Sequence, residues 1–232
     1  MQTYFSTSYR PGVWEHRDAR SGKGLRILAL LTATSLSLVV ARGVLTGNWW
    51  FFIALTWNLA LAWFPLGTVL TLRDLRTAGF RSPWLLIGGL MLWLVFLPNA
   101  PYIITDLFHL KYIDHPLLWF DTMTIFIFAL TGLLTGLYSI LIVHRLLRPM
   151  LGTVCTWAVI MTSQLLSGFG IYLGRFGRWN SWDILARPSS LTWAIARACQ
   201  NQLSVQLTLA YGFVLAALYI AFYWYAEHDD NA

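Results

Sequence analysis

Five stretches of this chain, residues 49–72, 82–105, 122–143, 149–174 and 198–226, each run for more than twenty residues without a charged side chain. Such runs dictate the solvent. A helix needs about 20 consecutive apolar residues to cross a hydrocarbon layer of roughly 30 Å, and helices inside soluble domains are seldom that long and that apolar. A sixth run, 27–45, carries a single charge, Arg42, near enough to its end for the long side chain to snorkel to the interface. Composition agrees, since 57% hydrophobic and 11% charged residues leave too little polar surface to cover a water-soluble globule.

The expected fold is therefore an all-α integral membrane protein, a six-transmembrane-helix bundle with short interfacial helices in its outer loops. The spans fall at about 27–45, 49–72, 82–105, 122–143, 149–174 and 202–226, within one transmembrane domain of residues 25–226. Residues 1–24 are expected to form a mobile cytoplasmic extension and 227–232 a cytoplasmic tail. No segment between the runs is long enough for a soluble catalytic domain. The first run is read as a retained helix, because the region before it is too long for a signal peptide and no small-x-small site follows.

Lysines and arginines set the orientation. The N-terminal arm and the second-to-third and fourth-to-fifth connections carry ten, and the opposite side carries six. That bias places both termini in the cytoplasm. It also explains the net charge of +6 without a nucleic-acid partner. Four of the six arginines and lysines on the other side, Arg175, Arg178, Arg187 and Arg197, lie in the last outer connection. They run against the bias and need another reason. Cys155 and Cys199 fall on opposite faces in this topology, so no disulfide is expected between them. Gly132 with Gly136, and Gly170 with Gly174, have the four-residue spacing that lets helices approach closely.

The chemistry concentrates in two outer segments. In residues 97–121, LPNAPYIITDLFHLKYIDHPLLWFD, Pro98 and Pro101 each remove a backbone donor and break the third span. Beyond the break, helical spacing aligns Asn99, Tyr102, Asp106 and His109 on one face. Asp106 and His109 are the candidate proton-transfer pair. Asp106, His109, His115 and Asp121 are the candidate metal ligands, a minor reading because their spacing matches no zinc pattern. No cofactor is predicted.

Residues 173–190, LGRFGRWNSWDILARPSS, hold the candidate binding residues Arg175, Arg178, Trp179, Asn180, Trp182 and Asp183, with Asn99 and Tyr102 joining from the first segment. Arginine beside tryptophan suits stacking and bidentate capture of carboxylate or phosphate. The aspartates of the first segment and the arginines of the last would also attract each other across the bundle mouth. The plain outcome is a salt-bridged lid. The sharper one is a cradle for an anionic headgroup.

The stretches LPNAPYIITDLFHL (97–110) and GRFGRWNSWD (174–183) resemble the two signature segments of a bacterial membrane-protein family described as domain of unknown function 1361. The resemblance covers about residues 30–225. It implies a multi-pass protein of the bacterial cell (inner) membrane, with no activity or catalytic residue to carry over.

Three functions are compatible with these residues. The first is action on, or binding of, an anionic lipid or lipid-linked envelope substrate at the outer leaflet. The second is a structural or assembly role in which the outer loops meet an envelope protein. The third and weakest is a small transporter, suggested by Asn58, Gln164 and Gln206 inside spans and by the break at Pro98. Against transport, no acidic or basic residue lies in the middle of a span. Haem and nucleotide sites find no support, since no histidines pair across spans and no glycine-rich loop precedes a lysine.

Overall fold

Apolar runs in a hydrocarbon medium must satisfy their own backbone polar groups, and helices do this within a single segment. The computed structural model describes residues 11–112 and 117–228, and among these there is no strand. The elements are α1 (Pro11–Thr46), α2 (Trp50–Thr77), α3 (Pro83–Phe96), α4 (Asn99–Tyr102), a 3₁₀ helix (Ile103–Tyr112), α5 (Leu118–Arg175), α6 (Asp183–Ala186), α7 (Pro188–Cys199) and α8 (Gln202–His228). Helix α1 starts inside the segment expected to be a mobile extension; residues 1–10 and 229–232 lie outside the described ones.

Five helical stretches are long and apolar enough to cross a membrane: Gly22–Thr46, Ile53–Thr77, Pro83–Phe108, Leu118–Arg175 and Gln202–Glu227. The chain is a membrane protein. The runs 122–143 and 149–174 belong to a single element, α5, of 58 residues. Straight, it would measure about 87 Å, far more than a bilayer. It is broken at Gly152, whose φ of 75° and ψ of 173° belong to a region that suits only glycine. The two limbs lie side by side. The His144 ring stands edge-on to Trp157 with centroids 4.8 Å apart, and Gly136 and Ile140 line the same small cavity as Gln164 and Ser167.

Helix α5 is the hub against which α1, α2 and α8 pack. Small residues set the closest approaches. A Cβ on Gly168 would stand 2.6 Å from the Thr208 carbonyl oxygen, so α8 rests directly on the α5 backbone there. The glycines noted for their spacing receive the broken third span instead of a straight helix. Ala100 sits against Gly132 and Gly136, Pro98 against Gly170, and the Tyr102 ring against Gly174.

Arg42 corrects the sequence reading. Its guanidinium does not snorkel outward but grips Asp121, with Nε 2.5 Å from Oδ1 and Nη2 3.0 Å from Oδ2. Arg42 is 5% exposed and Asp121 1%. The Trp49 indole lies over Gly43, the residue after Arg42, and closes the approach from α1. Snorkelling needs a path to water, and here a carboxylate on the neighbouring helix is nearer than the surface. Removing one member of such a pair strands a buried charge. Asp121→Ala should therefore lower stability by about 3–5 kcal/mol in detergent thermal unfolding. The double change Arg42→Met with Asp121→Leu should lose much less.

Candidate functional site

The break at the two prolines turns later N–H groups away from the carbonyls where α3 ends, and the local structure is built to satisfy them. Helix α3 has 14 residues, about 21 Å of rise, and cannot cross a bilayer alone. Asn99 Nδ2 donates to the Phe96 carbonyl at 2.9 Å, and Ser181 Oγ donates to the Val95 carbonyl at 3.0 Å. Asn99 Nδ2 also donates to Ser181 Oγ at 2.9 Å. Ser181, two residues before α6, thus reaches back to cap a break in the third candidate span. The two polar sequence segments meet here, by hydrogen bonds that serve the backbone.

Beyond Tyr102 the chain tightens into the 3₁₀ helix, which has three residues per turn and not 3.6. The row expected through Asn99, Tyr102, Asp106 and His109 therefore does not continue as one stripe. Ile103 and Asp106 fall on one row, and both are buried. Asn58 Nδ2 of α2 donates to Asp106 Oδ2 at 3.0 Å. Arg175 Nη1, from the last turn of α5, stands 3.5 Å from Asp106 Oδ1. The Phe108 ring lies 5.7 Å from the Arg175 guanidinium carbon. A carboxylate with both oxygens engaged, and 5% exposed, is a clasp between three elements.

After Arg175 the chain turns through a C-cap in which the Trp179 N–H donates to the Leu173 carbonyl at 3.2 Å. This closure spans seven residues, Leu173 to Trp179, and one of them takes the left-handed region that helix C-termini normally give to glycine. Arg178 occupies it with φ 55° although Gly177 is next door. A Cβ on Gly177 would collide with the Trp179 ring and the Leu173 carbonyl, so that glycine is required where it is. Arg178 itself is exposed. Trp182 meets Trp57 of α2 edge-on at 6.2 Å between ring centroids.

Asp183 is the third aspartate held at this end. Its Oδ2 accepts the Asn180 N–H at 2.8 Å, and its Oδ1 accepts Arg187 Nη2 at 2.8 Å and Nε at 3.1 Å. Arg187 also stacks over Trp179, 5.0 Å from the ring centroid. The backbone N–H of Asn180, and then Arg187, hold the Asp183 carboxyl below the ordinary carboxylate range. Among the metal-ligand candidates, Asp106 and Asp121 each face an arginine and lie in separate clusters. His115 and the side chain of His109 lie outside the described residues. No group of three or more His, Cys, Asp or Glu comes together among the described residues.

Sequence reasoning missed a second polar cluster near the break between the two limbs of α5. His144 Nδ1 lies 2.8 Å from the Tyr219 hydroxyl, both fully buried, with Trp157 and Tyr223 packed around the imidazole. Its signal was one histidine at a run's edge, too little to distinguish it from a solvated end.

Two outcomes follow from this geometry. Asn99→Leu leaves the Phe96 carbonyl without its donor and should cost about 1–3 kcal/mol, read as a lower melting temperature in detergent. A carboxyl whose pKa is lowered by folding contributes stability in full above its unfolded value, near pH 3.9, and loses it as pH falls through the lower folded value. The Asn180–Arg187 turn should therefore hold through pH 4 and open only in stronger acid. The Asn180 amide resonance should report that step, and Asp183→Asn should abolish it.

Comparison with known proteins adds the lineage. No curated protein and no solved structure matches the chain. A family model described as "Protein of unknown function (DUF1361)" matches residues 57–218. That interval contains the broken third span, both limbs of α5 and the whole Asn180–Arg187 turn, so this chain belongs to the DUF1361 family of proteins of unknown function.

Proposed function

We propose that this is a six-span protein of the bacterial cell (inner) membrane, with both termini in the cytoplasm, that binds an anionic lipid or lipid-linked envelope substrate at the outer leaflet. The two limbs of α5 count as separate crossings in this topology, and the Arg175 end faces outward. One observation carries the ligand class. Asp106, Asp121 and Asp183 are each held by an arginine, whereas Arg178 and Arg197 have no carboxylate within ion-pair distance among the described residues. The surface left for a ligand is therefore cationic and aromatic. Arginine favours phosphate and carboxylate groups, and Trp179 and Trp182 supply planar apolar contact beside it.

Proton transfer by Asp106 is the weaker part of the earlier expectation, because both its oxygens are engaged. That same engagement favours a second reading, in which the Asp106–Arg175 clasp fixes an outer surface for an assembly partner. The two readings separate on lipid preference. In native mass spectrometry of the detergent-solubilised protein, phosphatidylglycerol should be retained at least tenfold better than phosphatidylcholine. Equal retention would leave only the assembly reading.

Orientation has its own check. With Cys155 and Cys199 replaced by serine, a cysteine at Arg178 should react with an impermeant maleimide in intact cells. A cysteine at Arg76 should react only after permeabilisation. The reverse pattern would invert the topology.

A further inference from the structure

The cationic surface has a shaped seat. Between the last turns of α5 and helix α7 lies a groove of about 540 Å³, within the range of small-molecule sites. Its walls include Tyr172, Phe176, Trp179 and Trp193, and Arg197, Ser190 and Asn201 add polar groups. The Tyr172 and Phe176 rings stack with centroids 5.4 Å apart to form one wall. Among the described residues no aspartate or glutamate lines the groove, and Arg197 has no ion pair. A lone guanidinium among aromatic walls asks for a ligand with one anionic group and an apolar body.

The neighbouring surface says where that body comes from. Leu185 of α6 is 85% exposed and Trp193 of α7 70%, with Ile184 and Ile195 also exposed. Meanwhile Leu191 and Ala198 turn inward. Helix α7 is thus apolar on more than one side, packs beside α6 and α8, and faces the last turns of α5 across the groove. A short helix of this kind lies in the plane of a membrane interface, with its exposed apolar side chains in the acyl boundary and its basic group at headgroup level. Trp193 belongs to both the exposed face and the groove, which makes the groove continuous with that exposed apolar surface.

We infer that the α5–α7 groove is a binding seat for one anionic phospholipid, its phosphate on Arg197 and its glycerol and upper acyl carbons against Trp193, Phe176 and Tyr172. This rests on the reading that the Arg175 end takes an anionic amphiphile, and it adds the seat and the headgroup class. Nothing covalent happens in it. Arg197 holds the phosphodiester as a charge-assisted donor, and the aromatic walls select a lipid over a free headgroup.

The test uses the full-length protein in mixed micelles, with phosphatidylglycerol and phosphatidylcholine competed in native mass spectrometry. Arg197→Gln should reduce the phosphatidylglycerol preference at least tenfold, Arg197→Lys should keep most of it, and Trp193→Ala should shorten lipid retention. A preference that survives Arg197→Gln unchanged overturns the groove and leaves the broader lipid reading intact. No preference in the unsubstituted protein overturns both. Displacement of the lipid by equimolar glycerol phosphate would mean a soluble phosphate site and also overturn the inference.

Discussion

A carbonyl without a donor inside an apolar medium costs several kcal/mol, and this fold is arranged around a helix break that creates such carbonyls. Pro98 and Pro101 end α3 after only 14 residues, short of a full crossing. The candidate span then continues through one short α turn and into a 3₁₀ segment. What makes that tolerable is distant in sequence, since Ser181 caps Val95 and Asn99 caps Phe96. The glycines of α5 make room for the same detour, with Gly132 and Gly136 accepting Ala100 and Gly170 accepting Pro98. The polar turn after α5 is therefore required by the third span's backbone before any ligand enters the argument.

Charge follows the same economy of position. Three aspartates sit at one end of the bundle, and each meets an arginine: Asp121 with Arg42 from α1, Asp106 with Arg175 from the end of α5, and Asp183 with Arg187 one helical turn on. The first two join different helices, so they fix the packing of α1, α5 and the 3₁₀ segment relative to one another. The third shapes a local turn. Buried pairs of this kind hold geometry more than they add stability.

The apolar runs made the membrane character legible, because length and lack of charge are local properties. The proline break and the convergence of the two polar stretches were legible too, the first from proline's missing donor and the second from opposite charge. Pairing was not. Arg42 lies near a run's end, where snorkelling is the ordinary outcome, and only the tertiary position of Asp121 makes inward burial better. The stripe through Asn99 and His109 assumed 3.6 residues per turn, and the 3₁₀ geometry after Tyr102 changes the row. Which of Asn99's properties mattered was equally hidden: an amide in a polar stripe reads as a ligand contact, while here it caps the backbone.

What remains after the backbone and the carboxylates have taken their partners is a short roster of arginines. Arg178 stands at a position where glycine would be less strained, and φ 55° for a side chain this large costs on the order of 1 kcal/mol. Arg197 ends α7, where the helix dipole already favours a cation, so its charge alone argues little. Its setting argues more, because it opens on a groove walled by four aromatic rings and continuous with exposed apolar side chains. A residue placed only for the dipole needs no such walls. The combination of a guanidinium with no ion pair among the described residues, a half-open aromatic groove and an apolar apron is what an amphiphile with a single negative group requires. In the proposed topology it also gives Arg197 a role on the side where the positive-inside bias would not place it.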